Sequence, residues 1–570
     1  MMSILEKLSG SRTIALFCVA IALLIFAASV LSGRTEYQWG SAPVSRSSLI
    51  RYVEWIAFLL GFLLAICIRN QARFTEKLYK TKSLPVDTTR PQHSDFEHSR
   101  SGSAARVILG RFSPFQISLY SGYAIVGMFV IYLGLYYKSA YDSFYLQEHD
   151  FLNIAAALPH TGLLQTPYVN TGPSGSFLGH HFSPFLILLK PIFWLCSQVP
   201  GANYGIYMLP LFLGASWGTI LWYELAIKYV SRQYFWLLPV LALFLGFNPL
   251  LFRLSLSFHF EVFILPLAAA CLLTWNHKSY WVFLFLLLSV KEDISLYSLL
   301  ICGSLYVTGR WNVWKPSGER IPRSSSSSGS ILHRRLLISA ILSALYFLIA
   351  VTAQRFLAGS SGADWSHYWL DAFEWKGAQT TGFLVVILSG GWLALKERGL
   401  RIPFILILLM HVFSRHPWHN SFQSHYVYTV IIIVLISVYY LKPGVLSIMV
   451  PAMLFAAILD KSTPQALLLP ARHDTLVVTE RIPQGSCVRA SRHIAVRVPL
   501  HSKTFPIYSI AGNPLSGDLC QPPGDETCKG AYLLLESQDT PRLHGCQMQS
   551  LRFRAGTEHL NLFEYVKPGR

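Results

Sequence analysis

The chain has 570 residues, of which 52% are hydrophobic and only 13% are charged. Soluble domains carry roughly 25% charged residues, so the composition excludes a soluble multidomain protein and predicts an α-helical polytopic membrane protein. The formal net charge is +18, but the basic residues gather in short loops between apolar runs. This placement argues against a nucleic-acid partner and makes the lipid bilayer the expected one.

Apolar runs follow one another along most of the chain. The first run follows Lys7 and Arg12 as in a signal peptide, but it lacks a small-x-small cleavage site and is interpreted as a retained span. A straight span needs ~20 apolar residues, so polar flanks must complete the shorter runs. We predict about 13 transmembrane helices, at residues 13–32, 52–68, 116–137, 205–227, 234–252, 261–275, 279–291, 294–308, 335–356, 381–395, 402–414, 425–441 and 443–459.

The charge of the loops predicts their sidedness. Residues 69–111 carry nine Lys/Arg against four acids, and residues 310–335 carry six against one. If these loops and the basic turns at Lys228 and Lys396 are cytoplasmic, the amino terminus is cytoplasmic as well. The first long polar loop, residues 138–204, and the carboxy-terminal tail are then extracytoplasmic.

The segment from Phe182 to Cys196 is apolar but short, and it contains Pro184, Lys190 and Pro191. If it crossed the membrane, the basic turn at Lys228 would face outward and every later segment would be inverted. The charge pattern therefore predicts a helix that lies along the outer interface or dips into it.

Three regions are expected: residues 1–111, with two helices and a basic cytoplasmic loop; a transmembrane core over 112–460; and a tail over 461–570. The tail is polar and has strand-like pieces, so it predicts a small extracytoplasmic α/β domain. These pieces are Thr475 to Val478, Ser486 to Ala490 and Ala531 to Leu535. Four tail cysteines permit two disulfides with three possible pairings: Cys487, Cys520, Cys528 and Cys546.

Ionisable side chains concentrate in the outer loops predicted by this topology. Such groups are costly beside apolar spans and are hypotheses for a functional site by default. The first loop holds Asp142, Glu148, His149, Asp150, His160, His180 and His181. Later outer turns hold Arg253, His259, Glu261, Lys291, Glu292, Asp293, Asp364, His367, Asp371, Glu374, Arg415, His416, His419 and His425. Together they could form one outward-facing cavity, in which cations hold a phosphate and a carboxylate acts as a base. The alternative for each cluster is a solvated loop or a self-neutralised hairpin tip.

The order of several short motifs resembles a family of bacterial membrane proteins known as domain of unknown function 2079. That family is similar in turn to the GT-C glycosyltransferases, which use polyprenyl-phosphate sugars. The motifs are HFSP (181–184), NP with FHFE (248–249 and 258–261), VKED (290–293), QSHY (423–426) and IPQGSCVRASRHIAVRVP (482–499).

The resemblance implies a GT-C-like core in the bacterial inner membrane that transfers sugar from a lipid-linked donor to an unknown acceptor. In GT-C enzymes an acidic residue of the first outer loop is the usual base, which implies Asp150, assisted by Glu148 or His149. The family's D-x4-D-Q pattern is EHDFLN here (148–153), so which acid acts stays open. The predicted substrate-binding residues are Asp142, His180, His181, Arg253, His259, Glu261, Lys291, Glu292, Asp293, Arg415 and His425.

Two other function classes are considered. A transporter or flippase for a lipid-linked or anionic substrate predicts internal repeats and helices broken near the bilayer midplane, and no convincing repeat is visible. A non-catalytic scaffold would act through its tail. No cofactor is expected: there is no Gly-rich phosphate loop, and a divalent metal on His149, Asp150, His180 and His181 is not favoured because no compact ligand spacing is present.

Overall fold

Helices make up most of the described chain, with a five-stranded sheet near its carboxy terminus and a two-stranded pair near its amino terminus. The computed structural model describes residues 36–39, 42–45, 114–143, 149–159, 162–165, 175–199, 202–230, 232–309, 326–359, 377–414, 417–438, 449, 451–453, 455–457, 460, 475–491, 494–507, 522, 528–537, 540, 543 and 550–566. The predicted α-helical class with a small sheet-containing tail is confirmed at this level.

In the described part of the first half, a short antiparallel pair, β1 (Glu36–Trp39) and β2 (Ala42–Ser45), precedes eight helices. They are α1 (Pro114–Asp142), α2 (His149–Ala157), α3 (Phe177–His180), α4 (Lys190–Ser197), α5 (Met208–Tyr229), α6 (Leu238–Phe247), α7 (Pro249–Ser255) and α8 (Ile264–Leu273). Four 3₁₀ segments join them, at Pro184–Leu189, Tyr204–Tyr207, Arg232–Leu237 and Phe260–Phe263.

The second half continues with α9 (Ser279–Leu288), α10 (Glu292–Val307), α11 (Ser326–Ala358), α12 (Gly377–Val386), α13 (Trp392–Lys396), α14 (Arg398–Val412), α15 (Pro417–Asn420), α16 (Tyr428–Val438) and α17 (Thr475–Thr479). A π segment (Ile387–Gly391) joins α12 to α13, and 3₁₀ segments lie at Ser424–Val427 and Ala495–Arg497. The strands are β3 (Cys487–Ser491), β4 (Lys503–Ile507), β5 (Ala531–Glu536), β6 (Leu551–Gly556) and β7 (Leu560–Tyr565).

Three described helices are long and apolar enough to cross a membrane: Phe115–Asp142, Tyr204–Lys228 and His333–Ala358. The bent pair Tyr234–Phe247 and Pro249–Ser255 makes a fourth if it is one span. Large apolar side chains face outward on these helices and their neighbours, as in Phe356, which is 86% exposed. Such surfaces suit lipid rather than water. These three to four candidate spans agree with a membrane protein, and the count of about 13 spans stays a prediction.

The segment at Pro184–Cys196 is a short apolar helix, shorter than a straight span requires. Its outer face carries Leu188, Ile192, Trp194 and Leu195, all exposed. The predicted position along the membrane surface fits this apolar exposure.

A helix break occurs at Asn248, where α6 and α7 meet at 50°. Asn248 caps α7 through its side chain, which accepts from the N–H groups of Leu250 and Leu251, and Pro249 occupies the first helical position. The Asn248 amide also donates to the Ser389 carbonyl at 2.9 Å. Ser389 lies in the π segment, where Gly390 has a φ of +117° that only glycine adopts readily. The two breaks are therefore joined to each other.

The tail sheet has the order β4-β3-β5-β7-β6. β3 runs parallel to β4 and β5, while β7 is antiparallel to β5 and β6. A disulfide joins Cys487 to Cys528. This bond belongs to one of the three possible pairings of the four tail cysteines, and the other two, Cys520 and Cys546, lie outside the described residues. The predicted strand at Thr475 to Val478 is wrong: this piece is the single-turn helix α17, which packs against β7 and buries Val478. Packing there overrides the strand preference of its β-branched residues.

The tail docks on the ends of two spans. The Tyr204 hydroxyl donates to the Ser502 carbonyl at 2.6 Å, and the Leu500 N–H donates to the Ala202 carbonyl at 2.9 Å. Arg497, which is 2% exposed, lies over the Tyr141 ring and donates to the Tyr141 carbonyl at 2.8 Å. Tail and first loop therefore lie at the same end of these helices.

Candidate functional site

Seven of the predicted site residues meet in one interior group, which we call the buried ionisable cluster: His181, His259, Glu261, Lys291, Glu292, Asp293 and His425. Six of the seven are no more than 5% exposed, and His181 is partly exposed. The residues come from the α3–α4 connection, the turn before α8, the start of α10 and the segment before α16. Since most of the connecting chain is apolar helix, long-range packing creates the cluster.

The start of α10 supplies three of the seven side chains. Lys291 is extended and precedes the first helical residue, so the chain turns sharply between α9 and α10. Glu292 and Asp293 occupy the first turn of α10, where the free N–H groups and the helix dipole favour negative charge. This explains why two acids are tolerated at a buried helix end.

Lys291 and Glu261 form the central ion pair. The Lys291 ammonium donates to Glu261 Oε1 at 2.7 Å, and both side chains are essentially buried. The other oxygen of Glu261 is in direct contact with His259 Nδ1. Phe258, just before His259, has a φ of +56°; this left-handed conformation is strained for a bulky residue, and such strain concentrates at functional sites.

His181 joins the cluster through Glu292. Its Nδ1 lies 3.2 Å from Glu292 Oε1, and the Phe182 N–H donates to Glu292 Oε2 at 2.9 Å. Enclosure by protein, with added repulsion from Lys291 and His180, lowers the pKa of His181 to about 4. The imidazole is therefore neutral at pH 7 and donates from Nδ1 to the carboxylate.

Tyr428 and His425 complete the cluster from the segment that leads into α16. The Tyr428 hydroxyl donates to the Asp293 carboxylate, and its ring faces the Lys291 ammonium at 5.0 Å. The His425 ring stacks on His259 with centroids 3.7 Å apart. Within the described residues the cluster thus holds three carboxylates and one lysine, an excess of negative charge.

Arg253 has a partner that the sequence did not indicate. Its guanidinium Nε lies 3.0 and 2.9 Å from the two oxygens of Asp460, and it also donates to the Phe422 carbonyl. Arg253 and Asp460 side chains are 8% and 6% exposed. Arg253, which was predicted to bind a substrate phosphate, is therefore already paired with a buried carboxylate, that of Asp460.

Asp142 lies at the tail interface rather than in the buried ionisable cluster. It pairs with Lys138, four residues earlier on α1, and lies 3.8 Å from the Arg497 guanidinium. These partners give it a role in docking the tail. The His180 ring lies beside that of His181, tilted with centroids 4.4 Å apart, and the His180 carbonyl accepts from the Gln354 amide at 2.6 Å.

The remaining predicted residues lie wholly or partly outside the description. The side chains of His149 and Asp150 are not described, although their backbone forms the start of α2. This helix packs against α3, whose end leads directly to His181. Residues outside the described part of the chain are Glu148, His160, Asp364, His367, Asp371, Glu374, Arg415 and His416.

Three contributing residues escaped sequence reasoning: Tyr428, Asp460 and Arg497. Tyr428 lies in an apolar run, where a hydroxyl carries no visible signal. Asp460 is the single acid that ends such a run, and it resembles an ordinary helix end. Arg497 lies inside the IPQGSCVRASRHIAVRVP motif, and its membership of that motif was the one sign in the sequence that it contributes to the structure.

A scan of protein-family models, a search of curated proteins and a search of solved structures each found no match to this chain. The resemblance stated for the sequence stays a prediction.

The His181 pKa makes thermal stability pH-dependent. Between pH 6.5 and about 4, His181 is protonated in the unfolded chain but neutral in the folded protein. The free energy of unfolding therefore falls as the pH falls through this window. We expect His181→Gln, which keeps a donor for Glu292, to flatten the dependence of the melting temperature on pH. The measurement is thermal unfolding in detergent from pH 7.5 to 4.5, with His333→Gln as the control. Equal slopes in wild type and His181→Gln would contradict the assignment.

Proposed function

We propose that this protein is a membrane glycosyltransferase of the GT-C type, which moves a sugar from a polyprenyl-phosphate donor to an acceptor at the extracytoplasmic face. The observation that carries the proposal is the buried ionisable cluster between apolar helices. Ionisable groups are expensive at such positions, and clusters of them mark sites of chemistry or transport. Asp150 is the proposed base, on the helix that packs beside α3.

A groove at the carboxy-terminal end of α1 suits the lipid part of such a donor. It has a volume of about 460 Å³ and opens between the end of α1 and the start of the Tyr204–Lys228 span. Its lining is largely apolar and includes Tyr137, Ile206, Leu209 and Phe212. Tyr137 also makes an edge-to-face contact with Phe258, the neighbour of His259. An isoprenoid chain in this groove would bring its phosphate toward the cluster.

The disulfide supports the extracytoplasmic side for the tail, because such bonds persist in oxidising compartments. The tail contacts the same helix ends as the first loop. Near that end of α1, Phe258 stacks on Tyr136 and meets Tyr137 edge to face, and it precedes His259 of the cluster. A lipid-linked donor presented at the outer leaflet is consistent with this arrangement in a bacterial inner membrane.

The proposal predicts that Asp150→Asn lowers turnover roughly 100- to 10,000-fold, the usual contribution of a general base. The measurement is lipid mass spectrometry on wild type, a gene deletion, and the deletion complemented with Asp150→Asn. Accumulation of one polyprenyl-phosphate sugar in both altered strains is expected. The complementation control is Glu480→Gln, an exposed tail carboxylate, which should restore the wild-type profile.

Accumulation in the deletion strain alone would keep the donor class and remove Asp150 from the chemistry. An unchanged lipid profile in both strains would contradict the transferase proposal. The expression level of each variant is measured by immunoblot of the membrane fraction, so that loss of protein is separated from loss of turnover.

A transporter or flippase is the second candidate, and the joined helix breaks favour it. Transporters bind substrate where helices are interrupted, since broken helices free backbone groups for ligands. The break at Asn248 and the π segment at Ser389 are bonded across helices. Substrate movement in proteoliposomes without sugar transfer would support this candidate over the first.

A further inference from the structure

We propose that His259, Glu261 and His425 form a binding site for a divalent transition-metal ion. One ligand atom from each residue lies within 4.8 Å of the others. Zn–N bonds of about 2.0–2.1 Å place ligand atoms roughly 3.3 Å apart in a tetrahedral site. Small side-chain rotations would bring all three atoms to one ion.

The donor set suits such an ion. Two imidazoles and one carboxylate are ligands for zinc, manganese or iron, and three protein ligands leave a position open for water or a substrate oxygen. All three side chains are buried, with exposed fractions of 1%, 0% and 5% for His259, Glu261 and His425. A metal held here would be shielded from bulk water.

The surrounding contacts hold the ligands in place. Lys291 donates to Oε1 of Glu261, which orients the carboxylate so that Oε2 faces His259. Contacts of this kind tune metal ligands in many sites. The stacked rings of His259 and His425 are inclined by only 13°. Because a ring nitrogen donates its lone pair in the plane of the ring, one of the two imidazoles must turn about its Cβ–Cγ bond before both can bind the same ion.

Charge favours a cation at this position. Among the described residues of the buried ionisable cluster, Glu261, Glu292 and Asp293 face a single lysine, Lys291. A divalent ion offsets the remaining two negative charges. Lys291 contacts Glu261 directly, so the attraction for a metal ion comes from the excess of carboxylates in the cluster as a whole.

The test uses the full chain, purified in detergent with a tag that contains no histidine. The protein is stripped with EDTA, exposed to ZnCl₂, desalted and measured by elemental mass spectrometry. We expect about one zinc per chain, as for a single three-ligand site. His425→Phe and His259→Phe should bind zinc at least roughly tenfold more weakly, since each removes one ligand. His333→Phe is the matched control, because His333 also stacks on an aromatic ring, Tyr306, and should retain wild-type zinc.

Wild-type protein that retains no zinc, or His425→Phe that retains as much as wild type, would overturn the proposal. If the variants do not fold, the test is made on the wild-type protein alone: it is stripped of metal, loaded with Co²⁺, and its visible absorption spectrum is recorded. Visible absorption typical of four- or five-coordinate Co²⁺ supports the site, and a six-coordinate aqueous spectrum contradicts it. These readouts do not involve sugar transfer, so the metal site and the proposed function can fail separately.

Discussion

Replacing Lys291 with Met is expected to destabilise the protein by about 3 to 5 kcal/mol, the typical cost of leaving a buried charge without its partner. Lys291 donates to Glu261 at 2.7 Å, and neither side chain can reach water, with side-chain exposures of 3% and 0%. Removal of the ammonium leaves three carboxylates in the described cluster without a lysine. The measurement is thermal unfolding in detergent with EDTA present, so that bound metal does not contribute.

The paired variant separates charge from packing. Lys291→Met combined with Glu261→Gln removes both charges and is expected to recover at least half of the lost stability, because a neutral pair needs no counterion. Lys278→Met is the control, since Lys278 is exposed and its loss should change stability by less than about 0.5 kcal/mol. A Lys291→Met protein as stable as wild type would refute the central ion pair.

Arg253→Met is expected to cost a similar amount, about 3 to 5 kcal/mol, because it isolates the buried Asp460 carboxylate. Arg253→Lys should restore little of this loss. A lysine ammonium lacks the planar fork with which the guanidinium reaches Asp460 from Nε and the Phe422 carbonyl from Nη1. Thermal unfolding measures the loss, with the exposed Arg355→Met as control.

The Arg253 variants also separate the two roles considered for this residue. A structural arginine changes stability and leaves the KM for the lipid donor unaltered in whatever protein remains folded. A phosphate ligand would raise KM in Arg253→Lys while the melting temperature stayed near the wild-type value. Recovery of stability in Arg253→Met with Asp460→Asn would establish the structural role.

Sequence patterns predicted the membrane class and selected the residues of the buried ionisable cluster as candidates for one site. They could do so because ionisable groups beside apolar runs are rare and are costly unless they pair with one another. His259, Lys291 and His425 are far apart along the chain, yet each interrupts an apolar run at its end. Their roles in binding or catalysis stay predictions. The pairing of charges was out of reach, since Asp460 lies 207 residues beyond Arg253 and no local pattern links them.

Local reasoning failed where packing decides. Thr475 to Val478 has the composition of a strand but forms a helical turn against β7. Asp142 forms an ion pair with Lys138 on α1 that the i, i+4 spacing could have indicated, and its role in substrate binding stays a prediction. Its second partner, Arg497, arrives from the far end of the chain and could not be foreseen.

The contact between Arg497 and Tyr141 spans 356 residues, so it constrains the timing of biogenesis. At roughly 5 to 20 residues per second, translation separates the two groups by about 20 to 70 s. During that interval the end of α1 and the start of the next span have no docked tail. A nascent chain therefore completes this part of its fold only after nearly the whole polypeptide has been synthesised, and truncated products are open to proteolysis at the first loop.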